Sequence, residues 1–367
     1  GVKVKSFTFK NDLEGFLTLK ENLEALGDPN LIKIGFESTG HYGVNLKSYL
    51  SKLGYSFLEF NPQLTSKFSQ ATSLRRTKTD KIDSKIISSM LGHFDYKSLH
   101  TKFYHINELK ELVRQRNSYQ SSKSKELVKL TNLLDKTFPE FKPFFNKKFS
   151  KTSLYIIKTY KNKEKISNLT NSQYDILKRM SRGSITYSRF VKLTALAKES
   201  IGVSSKTYDY LIPVVIDMYY KLDQLIEDLD IRINNIYNKT NSLIHTIPGI
   251  STITAATIYA EIGDINNFSN PSKLIAFSGL DVKVSQSGQK EINGKIVKHG
   301  SPLLRLKLHQ AALSSLKSIP KFYDYFHKKK SLGKHKNVIF THISRKLLRM
   351  IYHMETNKVP FDINKVK

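Results

Sequence analysis

The first sixty residues alternate short apolar strands with amphipathic helices, and this alternation restricts the fold more than any other feature of the chain. Residues 31–37 and 55–60 have the length and apolar content of strands, and residues 2–9 alternate apolar with basic side chains, as a half-exposed strand does. Apolar residues at helical spacing fill 12–26 and 41–53. Strands and helices that alternate at this spacing predict an α/β domain with a largely parallel sheet.

The charge balance indicates what kind of partner the chain binds. Its 367 residues include 60 Lys plus Arg against 31 Asp plus Glu, a formal net charge of +29. A surplus of this size favours a polyanion, and nucleic acid is the default candidate. No stretch is apolar enough to span a bilayer and no secretory signal pattern is present, so we expect no membrane partner. The absence of cysteine excludes disulfides and thiolate metal sites and is compatible with a reducing cytoplasm.

The middle of the chain reads as long helices. Residues 106–138 form one polar helix, typical of an exposed arm, and 141–205 form a small helical insertion. Residues 208–238 form a second long helix, with Pro213 expected in its first turn. Its apolar residues follow the three-four spacing of a coiled coil, at Leu211, Val215, Met218, Leu222, Leu225, Leu229, Ile233 and Ile236. This stripe predicts packing against the 106–138 helix or against a second subunit.

The last third begins with a Pro-Gly turn between two apolar helical segments, at 243–258. This pattern resembles a helix-hairpin-helix, in which Gly249 would let the backbone approach a phosphate, and a plain helical hairpin is the alternative. Residues 279–288 read as a polar loop that contains Ser287. The helix that follows 295–301 is basic, so we expect phosphate contacts from Lys298, Arg305 and Lys307.

Three carboxylates stand out as possible metal ligands. Asp80 and Asp83 share one face of a helix start, and Glu37 ends a strand, where sites in parallel sheets lie. Carboxylate oxygens suit Mg²⁺ or Mn²⁺. The competing interpretation is structural, because acidic residues at a helix start offset the helix dipole. Basic residues that would hold a phosphate near this pair precede the helix, at Arg75, Arg76 and Lys78.

Ser287 is a candidate nucleophile, although a serine followed by glycine is common in loops. The small Gly288 would leave the hydroxyl accessible, with Lys and His residues nearby to bind phosphate. A serine that attacks a DNA phosphate forms a covalent intermediate, which preserves bond energy for rejoining. A recombinase needs such an intermediate and a simple nuclease does not.

The motifs together resemble the DEDD transposases of the IS110 insertion-sequence family. The matching segments stand in family order near both ends of the chain: FESTGHY (36–42), FNP (60–62), KTDKIDSK (78–85), IPGISTITAA (247–256), FSGL (277–280), QSG (286–288) and GSPLLR (300–305). Residues 141–205 carry no match. The resemblance implies a RuvC-like, RNase H-like α/β domain at 1–104, a helical coiled-coil region at 105–240 and a mainly α transposase domain at 241–367.

The resemblance also implies the site and its partners. Carried over by position, Glu37, Asp80 and Asp83 are the second, third and fourth acidic ligands of Mg²⁺ or Mn²⁺, and Ser287 is the nucleophile. The implied partners are donor and target DNA, a structured guide RNA and further copies of the chain in a dimer or tetramer, in the nucleoid of a bacterial cytoplasm. The family's first aspartate precedes residues 2–9, so we expect three of the four ligands here, in a truncated or inactive copy.

Three functions follow from these observations. The first is an RNA-guided transposase or site-specific recombinase that cuts and rejoins DNA. The second is a RuvC-like, metal-dependent junction nuclease that does not use Ser287. The third is a catalytically inactive nucleic-acid-binding relic of a transposase.

Overall fold

The chain forms two units, Gly1–Tyr104 and His105–Lys367. The computed structural model describes residues 5–38, 40, 42–72, 79–93, 104–145, 149–287 and 290–366. The first unit is α/β and the second is almost entirely helical. No helix in the described parts of the chain has the length and apolarity needed to cross a bilayer.

The first unit is built on two short parallel strands. Glu37 at the end of one strand stands opposite Phe60 at the end of the other. The strands are β1 (Ile34–Glu37) and β2 (Phe57–Phe60), and the helices are α1 (Leu13–Glu24), α2 (Tyr42–Lys52), α3 (Pro62–Thr72) and α4 (Asp80–His93). A small core of buried residues joins α1, α2 and the strands, at Leu19, Leu23, Leu50, Tyr55 and Phe57.

The predicted parallel α/β arrangement is confirmed, but the strand predicted at 2–9 is wrong where it is described. Residues 5–10 have no regular structure, and Phe7 and Phe9 are exposed; residues 2–4 lie outside the described residues. A strand needs a neighbour for its backbone groups, and none is paired with this segment in the described sheet. The helix that follows begins as predicted, because the Asp12 carboxylate accepts a hydrogen bond from the Gly15 N–H at 2.9 Å.

Two long antiparallel helices form the axis of the second unit. They are α5 (Tyr104–Thr137) and α11 (Lys206–Tyr237). Two ion pairs join the middles of these helices: Arg116 donates to both carboxylate oxygens of Asp230, and Lys123 donates to Asp223 Oδ1. From the first pair to the second, the residue number rises by seven on α5 and falls by seven on α11, so the two helices run antiparallel. The packing of the second helix against residues 106–138 is therefore confirmed.

The buried face of α11 is rotated slightly about the helix axis relative to the predicted stripe. Ile212, Ile216 and Ile226 are buried together with Leu222 and Ile233, whereas Met218 is 48% exposed. Pro213 lies in the helix interior rather than in its first turn, which corrects the prediction. The helix starts earlier because Ser205 caps it, accepting a hydrogen bond from the Thr207 N–H at 3.3 Å.

In its described residues, the predicted helical insertion forms five helices, which share a core with the ends of α5 and α11. They are α6 (Phe141–Phe144), α7 (Lys151–Tyr160), α8 (Lys163–Ser167), α9 (Asn171–Met180) and α10 (Tyr187–Glu199). This core includes Ile157, Ile166 and Leu193 and extends to Leu134 of α5 and Ile212 of α11. The insertion is therefore held at the end of the two long helices where α5 finishes and α11 starts.

A second core joins the C-terminal helices to the start of α5 and the end of α11. The helices are α12 (Thr252–Ile262), α13 (Pro271–Ser278), α14 (Pro302–Ser315), α15 (Pro320–Ser331) and α16 (Lys336–Asn357). Leu109 of α5 and Tyr237 of α11 belong to this core. The apolar stripe of α16 is buried at Ile339, Ile343, Leu347 and Leu348, while Val338 is exposed.

The segment predicted as a polar loop at 279–288 is instead half of a β-hairpin. The strands are β3 (Val282–Ser287) and β4 (Lys290–Ile296), paired antiparallel with Ser287 opposite Lys290. The prediction was wrong because polar side chains dominate the strand and concealed the two-residue period. Val282 and Ile296 form a cross-strand pair of apolar residues at the base of the hairpin.

Candidate catalytic and nucleic-acid-binding residues

Glu37 lies at the carboxyl end of β1, where it meets the start of α3. The strand pairing extends one residue further, because the Ser38 N–H donates to the Phe60 carbonyl at 2.9 Å. Thr65 is 6% exposed, and its Oγ1 lies 2.9 Å from Glu37 Oε2 and 2.9 Å from the Pro62 carbonyl. The half-buried carboxylate is therefore oriented from one side by α3. Its second oxygen, Oε1, has no partner among the described residues.

The helix that carries Asp80 and Asp83 packs directly on the strand that carries Glu37. A Cβ built on Gly35 would lie 3.0 Å from three side-chain atoms of Leu91, near the end of α4. Because glycine has no side chain, it lets the Leu91 side chain sit against the strand backbone. The neighbouring Met90 is fully buried. Close packing at Gly35 therefore fixes α4 against β1.

Thr79 caps the start of α4. Its hydroxyl accepts a hydrogen bond from the Ile82 N–H at 3.3 Å, and its carbonyl accepts one from the Asp83 N–H at 3.0 Å. Asp83 is half-buried and has no hydrogen-bond or ion partner in the described parts of the chain. Only the backbone of Asp80 is described, and it begins the helix. Capping is thus supplied by Thr79, so neither aspartate is needed as the cap.

The chemistry of these carboxylates fits a hard divalent cation. Glu37 and Asp83 offer carboxylate oxygens from two elements packed on each other, and Mg²⁺ binds through one or two such groups with water or phosphate oxygens. No group of three His, Asp or Glu side chains capable of holding a metal occurs among the described residues. The side chain of Asp80 lies outside that set, and so do Arg75, Arg76 and Lys78.

Ser287 is the last residue of β3, beside the tip of the hairpin. Its backbone pairs with Lys290, and the two residues between them lie outside the described residues, as does its side chain. The base of the hairpin is tied by hydrogen bonds from Val297 N–H to the Asp281 carbonyl at 2.9 Å and from Lys298 N–H to the Gly279 carbonyl at 3.0 Å. Lys298 is exposed, with a φ of +57°.

Arg305 is held at the base of this hairpin. Its Nη1 donates to the Ser278 carbonyl at 3.2 Å and to the Gly300 carbonyl at 2.9 Å. A Cβ at Gly279 would lie 2.9 Å from the same Nη1, and that residue has a φ of +70°. The guanidinium therefore fastens the end of α13 to the segment before α14. In this position it orients the hairpin that carries Ser287.

Lys307 is half-buried between α14 and the long helices. Its Nζ donates to Gln310 Oε1 at 3.1 Å. Burial lowers the pKa of Lys307, nearby Arg116 lowers it further, and Asp230 acts in the opposite direction. Lys307 therefore lies beside the Arg116–Asp230 ion pair of α5 and α11.

Gly249 makes a close contact within the protein. It has a φ of +86°, and a Cβ there would lie 2.9 Å from backbone atoms of Ser314 and Ser315 at the end of α14. The Ser315 hydroxyl donates to the Pro248 carbonyl at 3.1 Å. The segment before this turn is a three-residue 3-10 helix, Ile244–Thr246, which corrects the predicted longer helical segment. The Pro-Gly turn therefore anchors α12 to α14.

An ion pair between the half-exposed Arg114 and the buried Glu261, which the sequence did not predict, joins three helices. Arg114 of α5 donates to Glu261 of α12 from Nε at 2.7 Å and from Nη2 at 3.2 Å. Burial opposes ionisation of Glu261, but hydrogen bonds from Arg114 and Ser301 outweigh it, so the pKa of Glu261 is lowered. Ser301 also caps α14 through the Leu304 N–H. A single carboxylate in the otherwise apolar helix 252–262 was the signal in the sequence.

Two family models match separate parts of the chain. A model for IS110-type DEDD transposases matches residues 1–139, and a model described as a transposase of the IS116/IS110/IS902 family matches 241–327. The transposase for insertion sequence element IS1111A from Coxiella burnetii is 30% identical over 142 residues, 38% of each chain. The pilin gene-inverting proteins of Moraxella bovis and Moraxella lacunata are each 30% identical over 191 residues, 47% of this chain and 59% of theirs. The chain thus spans less than two thirds of these relatives.

Proposed function

Because this chain belongs to the IS110 family of transposases, we propose that it is a DNA transposase or site-specific recombinase that cuts and rejoins DNA strands. The observation that carries the proposal is that the two transposase models match in succession on one chain, at 1–139 and 241–327. Two relatives are named for inverting a gene, an operation that requires rejoining as well as cutting.

The first unit is proposed to have the RuvC-like fold and to hold Mg²⁺ or Mn²⁺ through Glu37, Asp80 and Asp83. When bound, the ion would polarise the scissile phosphate and stabilise the leaving oxygen. Thr65 orients one oxygen of Glu37, and Asp83 has no competing cation among the described residues. The contact between Gly35 and Leu91 supports this arrangement, because it holds α4 against the strand that ends at Glu37.

Ser287 is proposed as the nucleophile. Its hydroxyl oxygen attacks the scissile phosphorus, an Oγ–P bond forms as the P–O bond to the leaving strand breaks, and the leaving hydroxyl takes up the serine proton. A strand hydroxyl then reverses the step and restores the phosphodiester bond. The position of Ser287 beside a hairpin tip supports access to DNA, and Arg305 orients the base of that hairpin.

The proposed partners are donor and target DNA, a structured guide RNA and further copies of the chain. The net charge of +29 supports a polyanionic partner. Arg75, Arg76, Lys78 and Lys298 are proposed to contact phosphates. Gly249, Arg305 and Lys307 were predicted to do the same, but their hydrogen bonds and close contacts lie within the protein, so we assign them to positioning α12, α14 and the hairpin.

The test is the covalent protein–DNA adduct. The chain is incubated with a plasmid carrying the ends of its element, a target plasmid, the element's transcript and Mg²⁺, and adducts are resolved on a denaturing gel. Ser287→Ala is expected to abolish adducts and joined products, and Asp83→Asn to reduce both. Ser285→Ala, two residues earlier on the same strand, is the matched control and is expected to retain them. Cutting that persists in Ser287→Ala would instead identify a metal-dependent nuclease.

A further inference from the structure

The helical insertion carries a large positive charge and lies outside both matched segments. Residues 141–205 contain fourteen Lys and Arg against three Asp and Glu. Residues 176–182 contain three basic residues and no acidic one. Charge of one sign on a compact body raises the local concentration of a polyanion. This part of the insertion therefore has the electrostatics of a nucleic-acid contact.

Three of these cations stand close together in sequence, at the end of α9 and in the turn that follows it. Lys178, Arg179 and Arg182 are all exposed. None has an acidic partner among the described residues; Arg179 Nε donates only to the Asp175 carbonyl at 3.4 Å. Other cations of the insertion are neutralised, as Lys158 is by Asp217. The charge at the end of α9 is therefore free to meet phosphate.

An aromatic strip adjoins these cations. Tyr187 begins α10 and is 54% exposed, and its ring centroid lies 5.3 Å from that of Tyr174 on α9. Lys178 Nζ lies 5.9 Å from the Tyr174 centroid. Tyr174 in turn packs on the buried Phe190 at 5.2 Å. Tyr187 is thus a supported aromatic ring, open to solvent and next to free positive charge.

We propose that this Tyr187 surface, formed by Tyr174, Lys178, Arg179, Arg182 and Tyr187, binds a single-stranded segment of nucleic acid. A base would stack on Tyr187 while neighbouring phosphates meet the three cations. The surface selects a single strand because the bases of a duplex are stacked on each other and cannot use the tyrosine ring. The proposal depends on the proposed function only for a nucleic-acid partner, and not on the metal site or Ser287.

The experiment measures binding of fluorescent twelve-residue oligonucleotides, dT12 and U12, to the full chain by anisotropy over a range of salt concentrations. The triple variant Lys178→Gln, Arg179→Gln, Arg182→Gln is expected to reduce the slope of log affinity against log salt by about 2, since each phosphate contact with a single strand contributes about 0.7. The matched control is Lys151→Gln, Lys165→Gln, Lys198→Gln, which removes the same charge from exposed positions of the insertion elsewhere. It is expected to leave the slope unchanged.

Stacking is tested separately from charge. Tyr187→Leu is expected to weaken binding of both oligonucleotides about tenfold, the effect of losing one stacked base. Tyr187→Phe is expected to restore it, and neither variant should alter binding of the dT12·dA12 duplex. Unfolding curves verify that each variant is folded.

Two outcomes would overturn the proposal: equal binding by Tyr187→Leu and wild type, or equal losses in the two triple variants. Failure here is distinguishable from failure of the proposed function. If only this proposal fails, adducts with Ser287 still form while Tyr187→Leu binds oligonucleotides as wild type does. If only the proposed function fails, the oligonucleotides bind through Tyr187 although no adduct forms.

Discussion

Replacing Gly35 with alanine tests whether β1 and α4 are held together as closely as the structure indicates. The new Cβ would lie 3.0 Å from three atoms of the Leu91 side chain. Carbon atoms in contact normally lie about 3.5–4.0 Å apart, so the overlap is about 0.5–1 Å. The Leu91 side chain, or the helix that carries it, must move by that amount.

The expected cost follows from the surroundings of Leu91. Overpacking a closed core costs about 1–3 kcal/mol. Leu91 is only half-buried, so part of its side chain can move towards solvent. We therefore expect Gly35→Ala to lower the free energy of unfolding by about 1 kcal/mol, the low end of that range.

The assay is urea unfolding of four proteins: wild type, Gly35→Ala, Leu91→Ala and the double variant. Leu91→Ala removes the clashing atoms, so the effects of the two substitutions should be non-additive by about 1 kcal/mol. Gly92→Ala is the matched control, because a Cβ there meets nothing within 4 Å and the residue lies within α4. Alanine is the better helix former, so this variant should gain about 0.5–1 kcal/mol. Additive effects at Gly35 and Leu91 would refute the close contact.

Three further predictions concern other contacts. Thr65→Val removes the hydroxyl that lies 2.9 Å from Glu37. The Mg²⁺ concentration for half-maximal adduct formation should therefore rise about fivefold to tenfold, which is the equivalent of one hydrogen bond. Thr65→Ser keeps the hydroxyl and should behave as wild type. Glu261→Gln should cost about 2 kcal/mol in urea unfolding, the cost of weakening a hydrogen bond to a charged group, because the half-exposed Arg114 can turn to solvent. The lowered pKa of Glu261 contributes stability above its ordinary value of 4.5 that is lost as pH falls through the folded-state value, so acid unfolding of Glu261→Gln should depend less on pH. Gly202→Ala should cost about 3 kcal/mol, because its Cβ would lie 2.0 Å from the Thr137 carbonyl oxygen at the end of α5; unchanged stability would contradict that contact.

The sequence predicted the elements whose residues interact locally. The apolar runs at 31–37 and 55–60 were sufficient to locate the two strands and their ends at Glu37 and Phe60, but the strands begin three and two residues later than predicted. The buried face of α11 was displaced because Tyr210, Val214 and Met218 add a second apolar stripe, which is exposed. Helical periodicity alone does not tell which of two adjacent stripes meets α5.

The candidate site was predictable in its residue types and less so in its contacts. Acidic residues at a strand end and at a helix start could be found from spacing. The contacts of Arg305 could not, because the Ser278 carbonyl that accepts its hydrogen bond lies 27 residues earlier in the chain. The burial of Lys307 could not either, because it depends on α14 packing near Arg116 and Asp230 of the long helices. In a basic protein, the sequence alone does not distinguish a basic residue that binds phosphate from one that donates to a carbonyl group of its own chain.

The antiparallel pair of long helices sets a length inside the second unit. Leu109 belongs to the C-terminal core and Leu134 to the core of the insertion, so the 25 residues between them separate the two bodies. At 1.5 Å per residue this spacing is about 37 Å. It corresponds to about one turn of B-form DNA, which repeats every 34–36 Å. The pair of helices thus fixes the distance between the core of the insertion and the C-terminal core.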